Sequence, residues 1–253
     1  MGSSQSNETL EFLEKDGYYY WADFEKTPFA EGVSRYAYKG TFHGQGPSRG
    51  DRCVVKVFKQ TYAKHITEWT TDIAASKRAQ ELAEQWNVYK STTRPPRFRI
   101  PVIAKMDKLA TFYALGFIPI SQTSVIGVNE YVAIEDFITG DYEKFNSNSG
   151  WVNRNGHLFA SAFSHYTWHK TNGRELVCDL QGVRKGDSYE LTDPAVHSLN
   201  RLYGMTDLGQ LGMDAFFYSH QCNELCYGLP LPAGHVRHAA WFGQRNTSYT
   251  FEL

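Results

Sequence analysis

Hydrophobic and polar positions alternate with a period near two over the first sixty residues. Short aromatic and β-branched runs at 18–21, 35–38 and 53–58 are separated by turn residues. Residues 44–50, Gly-Gln-Gly-Pro-Ser-Arg-Gly, lack the glycine spacing of a phosphate-binding loop and precede no helix start, so we expect a hairpin tip there. The pattern predicts a β-rich N-terminal part of the chain.

The period changes to that of a helix between Tyr62 and Asn87. Charged and amide residues separate the apolar positions, and three prolines between 92 and 101 end the pattern. This predicts one long amphipathic helix that packs on the preceding sheet. The apolar positions are Ile66, Trp69, Ile73, Ala79, Leu82 and Trp86.

The rest of the chain mixes strand and helix patterns without an internal repeat. The predicted elements are strands at 102–117, 130–138 and 175–183, helices at 158–168 and 213–226, and a turn-rich lobe boundary at 139–156. We therefore predict an α+β fold in a single two-lobed domain.

Composition excludes several classes of function. With 26 basic and 27 acidic residues and no block of like charge, the chain lacks the footprint of a nucleic-acid-binding or polybasic membrane protein. The longest uncharged apolar stretch, 109–120, is too short to span a bilayer, and the N-terminus has no apolar signal-peptide core. Four cysteines fit a reducing compartment. We expect a soluble cytoplasmic protein.

The first residues, Met1-Gly2-Ser3-Ser4-Gln5-Ser6, satisfy the pattern for myristoylation of Gly2. The simpler interpretation is a start methionine followed by a small-residue tail. Because one acyl chain binds membranes weakly and the next charges are acidic, any attachment through Gly2 would be reversible.

Two carboxylates and an amide follow apolar strands in the last third of the chain. Asp179 and Gln181 come after 176–178, and Asp193 follows about one hairpin later. Phosphoryl transfer needs one carboxylate to orient the attacking hydroxyl and further oxygen ligands to hold Mg²⁺. The alternative is that each aspartate caps a turn.

Lys56 lies in the middle of an apolar strand, Val54-Val55-Lys56-Val57-Phe58. A buried positive charge is costly without a partner, and an anionic phosphate is a natural one. The alternative is an edge-strand lysine that extends to water.

His220, Cys222 and Cys226 form an H-x-C-x3-C cluster on a predicted helix terminus. Three such ligands within two turns are typical of a zinc site, which needs a fourth ligand that composition cannot choose among the remaining histidines. The alternative is two inert buried cysteines beside a chance histidine.

Eight motifs in this order closely resemble the alpha-kinase family, which includes myosin heavy chain kinases, elongation factor 2 kinase and the kinase domains of certain TRP channels. The motifs are Phe29-Ala30-Glu31-Gly32 with Arg35 and Ala37-Tyr38, Val54-Val55-Lys56, Phe145-Asn146-Ser147-Asn148-Ser149-Gly150-Trp151, Phe163-Ser164-His165, Asp179-Leu180-Gln181-Gly182-Val183, Thr192-Asp193-Pro194, Gly204-Met205-Thr206-Asp207-Leu208-Gly209 and His220-Gln221-Cys222. The resemblance runs from about 29 to 229 and implies a catalytic domain at 25–245, with the N-terminal lobe ending near 138, between tails at 1–24 and 246–253.

The resemblance implies a two-lobed protein-kinase-like fold, with a β-rich N-lobe that carries one long helix and a mixed C-lobe that holds structural zinc. It also implies a role for each matching residue. Arg35 and Lys56 would contact ATP phosphates, with Lys144 nearby, and the backbone from Glu135 to Phe137 would meet adenine. Asp179 would be the catalytic aspartate. The remaining implied roles are Mg²⁺ ligation by Gln181 and Asp193, zinc ligation by His165 with His220, Cys222 and Cys226, and a flexible substrate loop from Gly204 to Gly209.

We therefore expect a serine/threonine protein kinase that uses ATP, Mg²⁺ and structural zinc and acts on a protein substrate. The H-R-D, D-F-G and A-P-E motifs of conventional kinases are absent from the sequence. The alternative is a catalytically weak, zinc-stabilised kinase-like scaffold or interaction module, which a large separation of Asp193 from Gln181 would favour. Because Lys56 is assigned to the ligand, we expect Lys56→Ala to leave the fold intact.

Overall fold

The computed structural model describes residues 6–14, 16–59, 65–90, 96–108, 112–114, 118–120, 126–153 and 158–233. Its described residues divide into two compact units, the first formed by the chain up to Thr70 and Pro101–Phe137, the second by Thr71–Ile100 and the chain from Ile138. The strands are β1 Asn7–Thr9, β2 Phe12–Leu13, β3 Tyr19–Phe24, β4 Ala30–Glu31, β5 Arg35–Gly44, β6 Arg52–Phe58, β7 Arg97–Phe98, β8 Val102–Lys108, β9 Phe112–Ala114, β10 Ile118–Ile120, β11 Tyr131–Asp136, β12 Tyr142–Lys144, β13 Glu175–Cys178, β14 Gln181–Lys185, β15 Ser188–Thr192 and β16 Ala195–Ser198. The α-helices are α1 Thr70–Lys90, α2 Leu158–Lys170 and α3 Gln210–Ser219, with short 3-10 helices at Ile66–Trp69, Gly204–Thr206 and Glu224–Cys226.

An eight-stranded sheet in the order β2-β3-β1-β8-β11-β6-β5-β4 forms the first unit. The hairpin of β5 and β6 pairs Arg35 with Phe58, and its tip contains 44–50, as the turn residues predicted. The strand β11 pairs antiparallel with β6, with Ala133 opposite Lys56. These pairings place Lys56 on a central strand of the sheet.

A four-stranded sheet, β12-β14-β15-β7, and a two-stranded sheet, β13-β16, belong to the second unit with the α-helices. The buried face of α1 packs there, where the Trp86 ring meets Phe163 and Tyr166 edge-on at 5.9 and 5.1 Å. The long helix was expected in the N-terminal lobe, and that placement was wrong. Its apolar stripe is covered by aromatic side chains of α2.

The strand expected at 175–183 is interrupted. Asp179 adopts a left-handed φ of 57°, so β13 ends at Cys178 and β14 starts at Gln181. A left-handed residue reverses the direction of the chain and cannot continue a strand. Gly182 also has a positive φ, and a Cβ there would lie 2.0 Å from the carbonyl oxygen of Glu190, so only glycine fits.

The helix expected at 213–226 is shorter and begins earlier. It ends at Ser219, because His220 is extended with φ −65° and ψ 131°, and a 3-10 turn follows at Glu224–Cys226. The apolar periodicity continued past Ser219, but the chain leaves the helix there. By contrast, α2 extends to Lys170, two residues past its expected end.

No helix among the described residues is long and apolar enough to cross a membrane. Gly2, the C-terminal tail at 246–253 and the expected strand residues 109–111 and 115–117 lie outside the described residues. Acylation of Gly2 therefore stays a prediction.

Candidate active site and metal centre

The turn between β13 and β14 carries the residues for which chemistry was predicted. Asp179 occupies the left-handed position of this turn, and Gln181 opens β14 with a buried side chain. Non-glycine residues in the left-handed region are uncommon and cost of the order of 1 kcal/mol or more, which surrounding contacts must offset. Such residues concentrate at functional sites, and the sharp turn directs this carboxylate away from the strand ladder.

Lys144 contacts the Asp179 carboxylate directly. The distance from its Nζ to Asp179 Oδ1 is 2.6 Å, and the two side chains are 1% and 15% exposed. The register of β12 with β14 places Lys144 opposite Gln181. A buried cation is therefore held beside a carboxylate that still reaches solvent.

Asp193 lies near Gln181 as a result of strand pairing. Gln181 is opposite Thr192 in the hairpin of β14 and β15, and Asp193 follows Thr192 directly, with a left-handed φ of 49°. The 14-residue step between the two aspartates is thus an extended hairpin that returns to its starting point. Gln181 Nε2 lies 3.5 Å from Asp179 Oδ2, so the amide faces this carboxylate as well.

Asn146 also belongs to this site. It lies in one of the motifs that resemble the family, but the sequence indicated no role for it. Its Oδ1 accepts the Leu180 N–H at 2.8 Å, its Nδ2 donates to Ser164 Oγ at 3.0 Å, and it is fully buried. The N–H of the preceding residue, Phe145, donates to the Leu180 carbonyl at 2.8 Å. These bonds hold the backbone of Leu180 and therefore the orientation of Asp179.

Lys56 is buried in the first unit and forms an ion pair. Its Nζ lies 2.7 Å from Glu135 Oε1, with side chains 6% and 4% exposed, so the lysine does not extend to water. Sequence reasoning named Glu135 for its backbone and missed its side chain. The sequence signal for this side chain was an acidic residue inside an apolar strand. A buried carboxylate needs a cation, and the lysine inside β6 is one.

Arg35 and Phe137 lie at other positions of the same sheet. The Arg35 guanidinium carbon is 5.5 Å from the ring centroids of both Phe58 and Trp69. The Phe137 N–H donates to the Arg52 carbonyl at 3.0 Å, and the Arg52 guanidinium carbon lies 4.4 Å from the Phe137 ring centroid. The aromatic contacts orient both guanidinium groups.

The segment from Gly204 to Gly209 is organised around a carboxylate. Asp207 is buried and accepts the Ser198 N–H at 2.8 Å, the Ser198 hydroxyl at 2.6 Å and the Gly209 N–H at 2.9 Å. Both glycines have positive φ values, 78° and 64°. The predicted substrate loop is therefore a hydrogen-bonded turn, whose fixed shape we did not expect.

His165, His220, Cys222 and Cys226 converge as the resemblance implied, and their ligand atoms lie within 4.8 Å of one another. His165 Nδ1 is 3.1 Å from His220 Nε2 and 3.7 Å from Cys222 Sγ. His220 Nε2 is 3.5 Å from Cys222 Sγ and 3.6 Å from Cys226 Sγ. Two of the donors are ring nitrogens and two are sulfurs, a set that zinc prefers.

The four short distances in this cluster, 3.1–3.7 Å, are close to those between ligands of a tetrahedral ion. With zinc–nitrogen distances of about 2.0 Å and zinc–sulfur distances of about 2.3 Å, tetrahedral ligand atoms lie about 3.3–3.8 Å apart. The Pro230 carbonyl also accepts a hydrogen bond from His165 Nε2 at 2.9 Å, which leaves a lone pair on Nδ1. A backbone acceptor on the second ring nitrogen is the usual support of a zinc-bound histidine.

Burial sets the protonation of this cluster. It lowers the pKa of His165, so the ring is neutral, as a ligand requires. It raises the pKa of the Cys226 thiol, which therefore needs a cation to become the thiolate that binds zinc.

Comparison with known proteins shows which family the sequence is similar to. The sequence model of the alpha-kinase family matches residues 30–226. Alpha-protein kinase 1 of Dictyostelium discoideum is 34% identical over 209 residues, which are 82% of this chain and 14% of that protein. Eukaryotic elongation factor 2 kinase of Caenorhabditis elegans is 32% identical over 208 residues, which are 80% of this chain and 24% of that protein. The chain thus spans about a quarter or less of these relatives.

A solved structure shares the fold. It is the inactive alpha-kinase domain of myosin-II heavy chain kinase A complexed with ATP, which superposes with a TM-score of 0.69 over 91% of this chain and 100% of that chain. The two sequences are 21% identical, so this similarity shows the fold alone.

Proposed function

This chain belongs to the alpha-kinase family, and from that premise we propose that it transfers the γ-phosphate of ATP to a serine or threonine hydroxyl of a protein. The observation that carries the proposal is the convergence of Asp179, Gln181, Asp193 and Lys144 at the ends of β12, β14 and β15. A solved relative with the same fold was crystallised with ATP.

Asp179 is the group that engages the hydroxyl. The hydroxyl oxygen attacks the γ-phosphorus as the bond to the bridging oxygen breaks, ADP leaves with that electron pair, and the hydroxyl proton passes to the Asp179 carboxylate. The carboxylate meets the geometric need because it is partly exposed and its orientation is held by Lys144 and by the Asn146 contact to Leu180.

Positive side chains counter the charge of the triphosphate. Lys56 and Arg35 are assigned to the phosphates, and Lys144 offsets the negative charge beside Asp179. The Glu135 carboxylate holds Lys56 in one orientation, because both groups are buried and 2.7 Å apart. A positioned cation stabilises the transition state more than a mobile one, since no reorganisation is needed during transfer.

Gln181 and Asp193 suit Mg²⁺. Both supply oxygen ligands, and among the described residues no hydrogen-bond donor reaches the buried Gln181 Oε1. When bound, Mg²⁺ neutralises phosphate oxygens during transfer. Zinc in the four-residue cluster is structural, since four protein ligands leave no open position for chemistry.

A large separation of Asp193 from Gln181 would have favoured the scaffold alternative. The pairing of Gln181 with Thr192 argues against it, because this register brings Asp193 back beside Gln181.

The proposal is tested by incubating the protein with radiolabelled ATP, Mg²⁺ and a basic protein substrate, followed by phosphoamino acid analysis. We expect label on serine or threonine for wild type and about a thousandfold less for Asp179→Asn. Asp214→Asn is the matched control, because Asp214 is an exposed residue of α3 and the same change should leave transfer unaltered. Label on tyrosine, or equal transfer by Asp179→Asn, would refute the assignment.

A further inference from the structure

His197 is a fully buried histidine of β16 that the reaction just described does not use. Its Nδ1 accepts the Leu208 N–H at 3.1 Å, and its Nε2 lies 2.8 Å from the Asn148 carbonyl oxygen. Because Nδ1 accepts a hydrogen bond, the proton of the neutral ring is on Nε2, which donates to Asn148. Nδ1 therefore accepts a hydrogen bond, whereas Nε2 donates one.

The surroundings keep the ring neutral and fixed. Burial lowers the pKa of His197, and Cys178 Sγ lies 3.3 Å from Nε2, with the thiol pKa raised well above its usual value by burial. The first turn of α3 packs on the ring so closely that a Cβ at Gly212 would lie 2.3 Å from Nε2. The ring therefore has one orientation and one tautomer.

The two partners of His197 belong to segments that serve different parts of the site. Asn148 follows Asn146, which holds the backbone beside Asp179, while Leu208 belongs to the 204–209 turn. A second bond joins the same segments, since Asn148 Nδ2 donates to the Thr206 carbonyl at 3.3 Å. The turn presents Met205, which is 81% exposed and available to a protein substrate.

We propose that His197 is a positioning residue that fixes the 204–209 turn relative to Asp179 and thereby sets the affinity for the protein substrate. The inference rests on the proposed kinase function and deepens it. Because the hydrogen-bond partners of His197 are Asn148 and Leu208 of the 204–209 turn, we expect its loss to act on the protein substrate more than on ATP.

Two substitutions at His197 test the hydrogen bonds of the two ring nitrogens separately. The side-chain oxygen in His197→Asn lies at about the reach of Nδ1 and can still accept from Leu208, whereas the amide in His197→Gln extends to the reach of Nε2 and can donate to Asn148. We expect His197→Gln to raise KM for a protein substrate about tenfold, because the turn loses its anchor, with KM for ATP within about twofold of wild type. His197→Asn should retain a lower KM than His197→Gln.

Amide hydrogen exchange gives a readout that is independent of activity. The Leu208 amide should exchange about tenfold faster in His197→Gln than in wild type and less so in His197→Asn. Val196→Ala is the control, because Val196 is a fully buried neighbour on β16 whose truncation loosens packing without touching the turn. It should change neither Leu208 exchange nor either KM.

The outcomes distinguish this inference from the proposed function. A wild-type protein that transfers no phosphate refutes the kinase proposal. Wild-type transfer with an unchanged protein-substrate KM in His197→Gln, or an unchanged Leu208 exchange rate, overturns the role of His197 alone. Equal effects of Val196→Ala and His197→Gln would also overturn it, since packing loss would then explain both.

Discussion

One cluster of polar side chains from each unit shows two different ways in which such groups are assembled. In the first unit Lys56 and Glu135 lie 2.7 Å apart and neutralise each other. In the second, two histidines and two cysteines direct their nitrogen and sulfur atoms to one point. The first cluster contains a cation and an anion that pair with each other. The second contains four groups that can each donate an electron pair to a metal ion.

This difference determines what each cluster needs for stability. A buried ion pair offsets its own desolvation when both partners are present and becomes costly when one is removed. Four converging nitrogen and sulfur ligands form the arrangement that zinc stabilises, and binding of a structural zinc ion contributes to folding. The lysine pair therefore holds both of its charges within the polypeptide, whereas we propose that the histidine–cysteine cluster takes its cation from a bound zinc ion.

The largest expected effect is loss of zinc through Cys226→Ser. The proposed zinc ion should no longer bind, and about 5 kcal/mol or more of stability should be lost, because binding of structural zinc contributes directly to folding. Zinc content by atomic absorption and urea unfolding measure both changes.

Cys53→Ser is the matched control for this substitution. Cys53 is also a buried free cysteine, but it lies in the first unit and outside the cluster. It should cost only about 1–2 kcal/mol, the price of burying a hydroxyl, with zinc retained. Equal stability losses for the two variants would show that zinc does not stabilise the fold.

The second largest effect is expected when Lys56 is removed from its ion pair with Glu135. Lys56→Ala should destabilise the protein by about 3–5 kcal/mol, because it removes the cation that pairs with the buried Glu135 carboxylate. The combined variant Lys56→Met with Glu135→Leu should recover most of that stability, since apolar side chains of similar volume replace the pair. Both variants should lose phosphoryl transfer, which unfolding and transfer assays on the same samples would show.

This expectation revises the one from sequence, in which Lys56→Ala left the fold intact. A single variant as stable as wild type would show that the carboxylate is compensated by other groups. A combined variant that transfers phosphate would remove Lys56 from the reaction.

Local patterns predicted those elements whose conformation neighbouring residues determine. The hairpin of β5 and β6 follows from alternating side chains and a glycine-rich tip. The break at Asp179 was missed because apolar and polar residues alternate from Cys178 to Gln181 as they do in a strand, whereas the backbone next to the left-handed aspartate is held by Asn146, which is distant in sequence. The end of α3 at Ser219 was missed because its periodicity continues into the cluster that zinc would close.

Prediction of the site was limited in the same way, by contacts between residues that are distant in sequence. The need of Lys56 for a partner was visible in its strand, but Glu135 could not be chosen, because the register of β6 and β11 joins residues 79 positions apart. Family resemblance supplied His165, which is remote in sequence from the other three ligands. The role of His197 appears only when β16, the 204–209 turn and Asn148 are placed together.

A smaller effect on stability is expected at the more exposed pair of Lys144 and Asp179. Asp179→Asn keeps an oxygen for Lys144 and suits the left-handed backbone, so it should cost about 1 kcal/mol or less while transfer falls about a thousandfold. Thermal unfolding beside the transfer assay measures both. A large drop in melting temperature would place this pair with Lys56 and Glu135 as structural.

The smallest effect concerns pH. Burial lowers the pKa of His197 below the unfolded value of 6.5, so the unfolded chain binds more protons in the window between the folded and unfolded values. The stability that His197 contributes is therefore complete above about pH 6.5 and falls as the pH drops, by at most about 1.4 kcal/mol per pH unit. Between pH 7 and pH 6 the change is below about 1 kcal/mol, and urea unfolding over this range should show a shallower dependence of the unfolding free energy on pH for His197→Gln than for wild type. An identical slope would mean that His197 is protonated as readily in the folded protein as in the unfolded chain, which contradicts a neutral ring between Leu208 and Asn148.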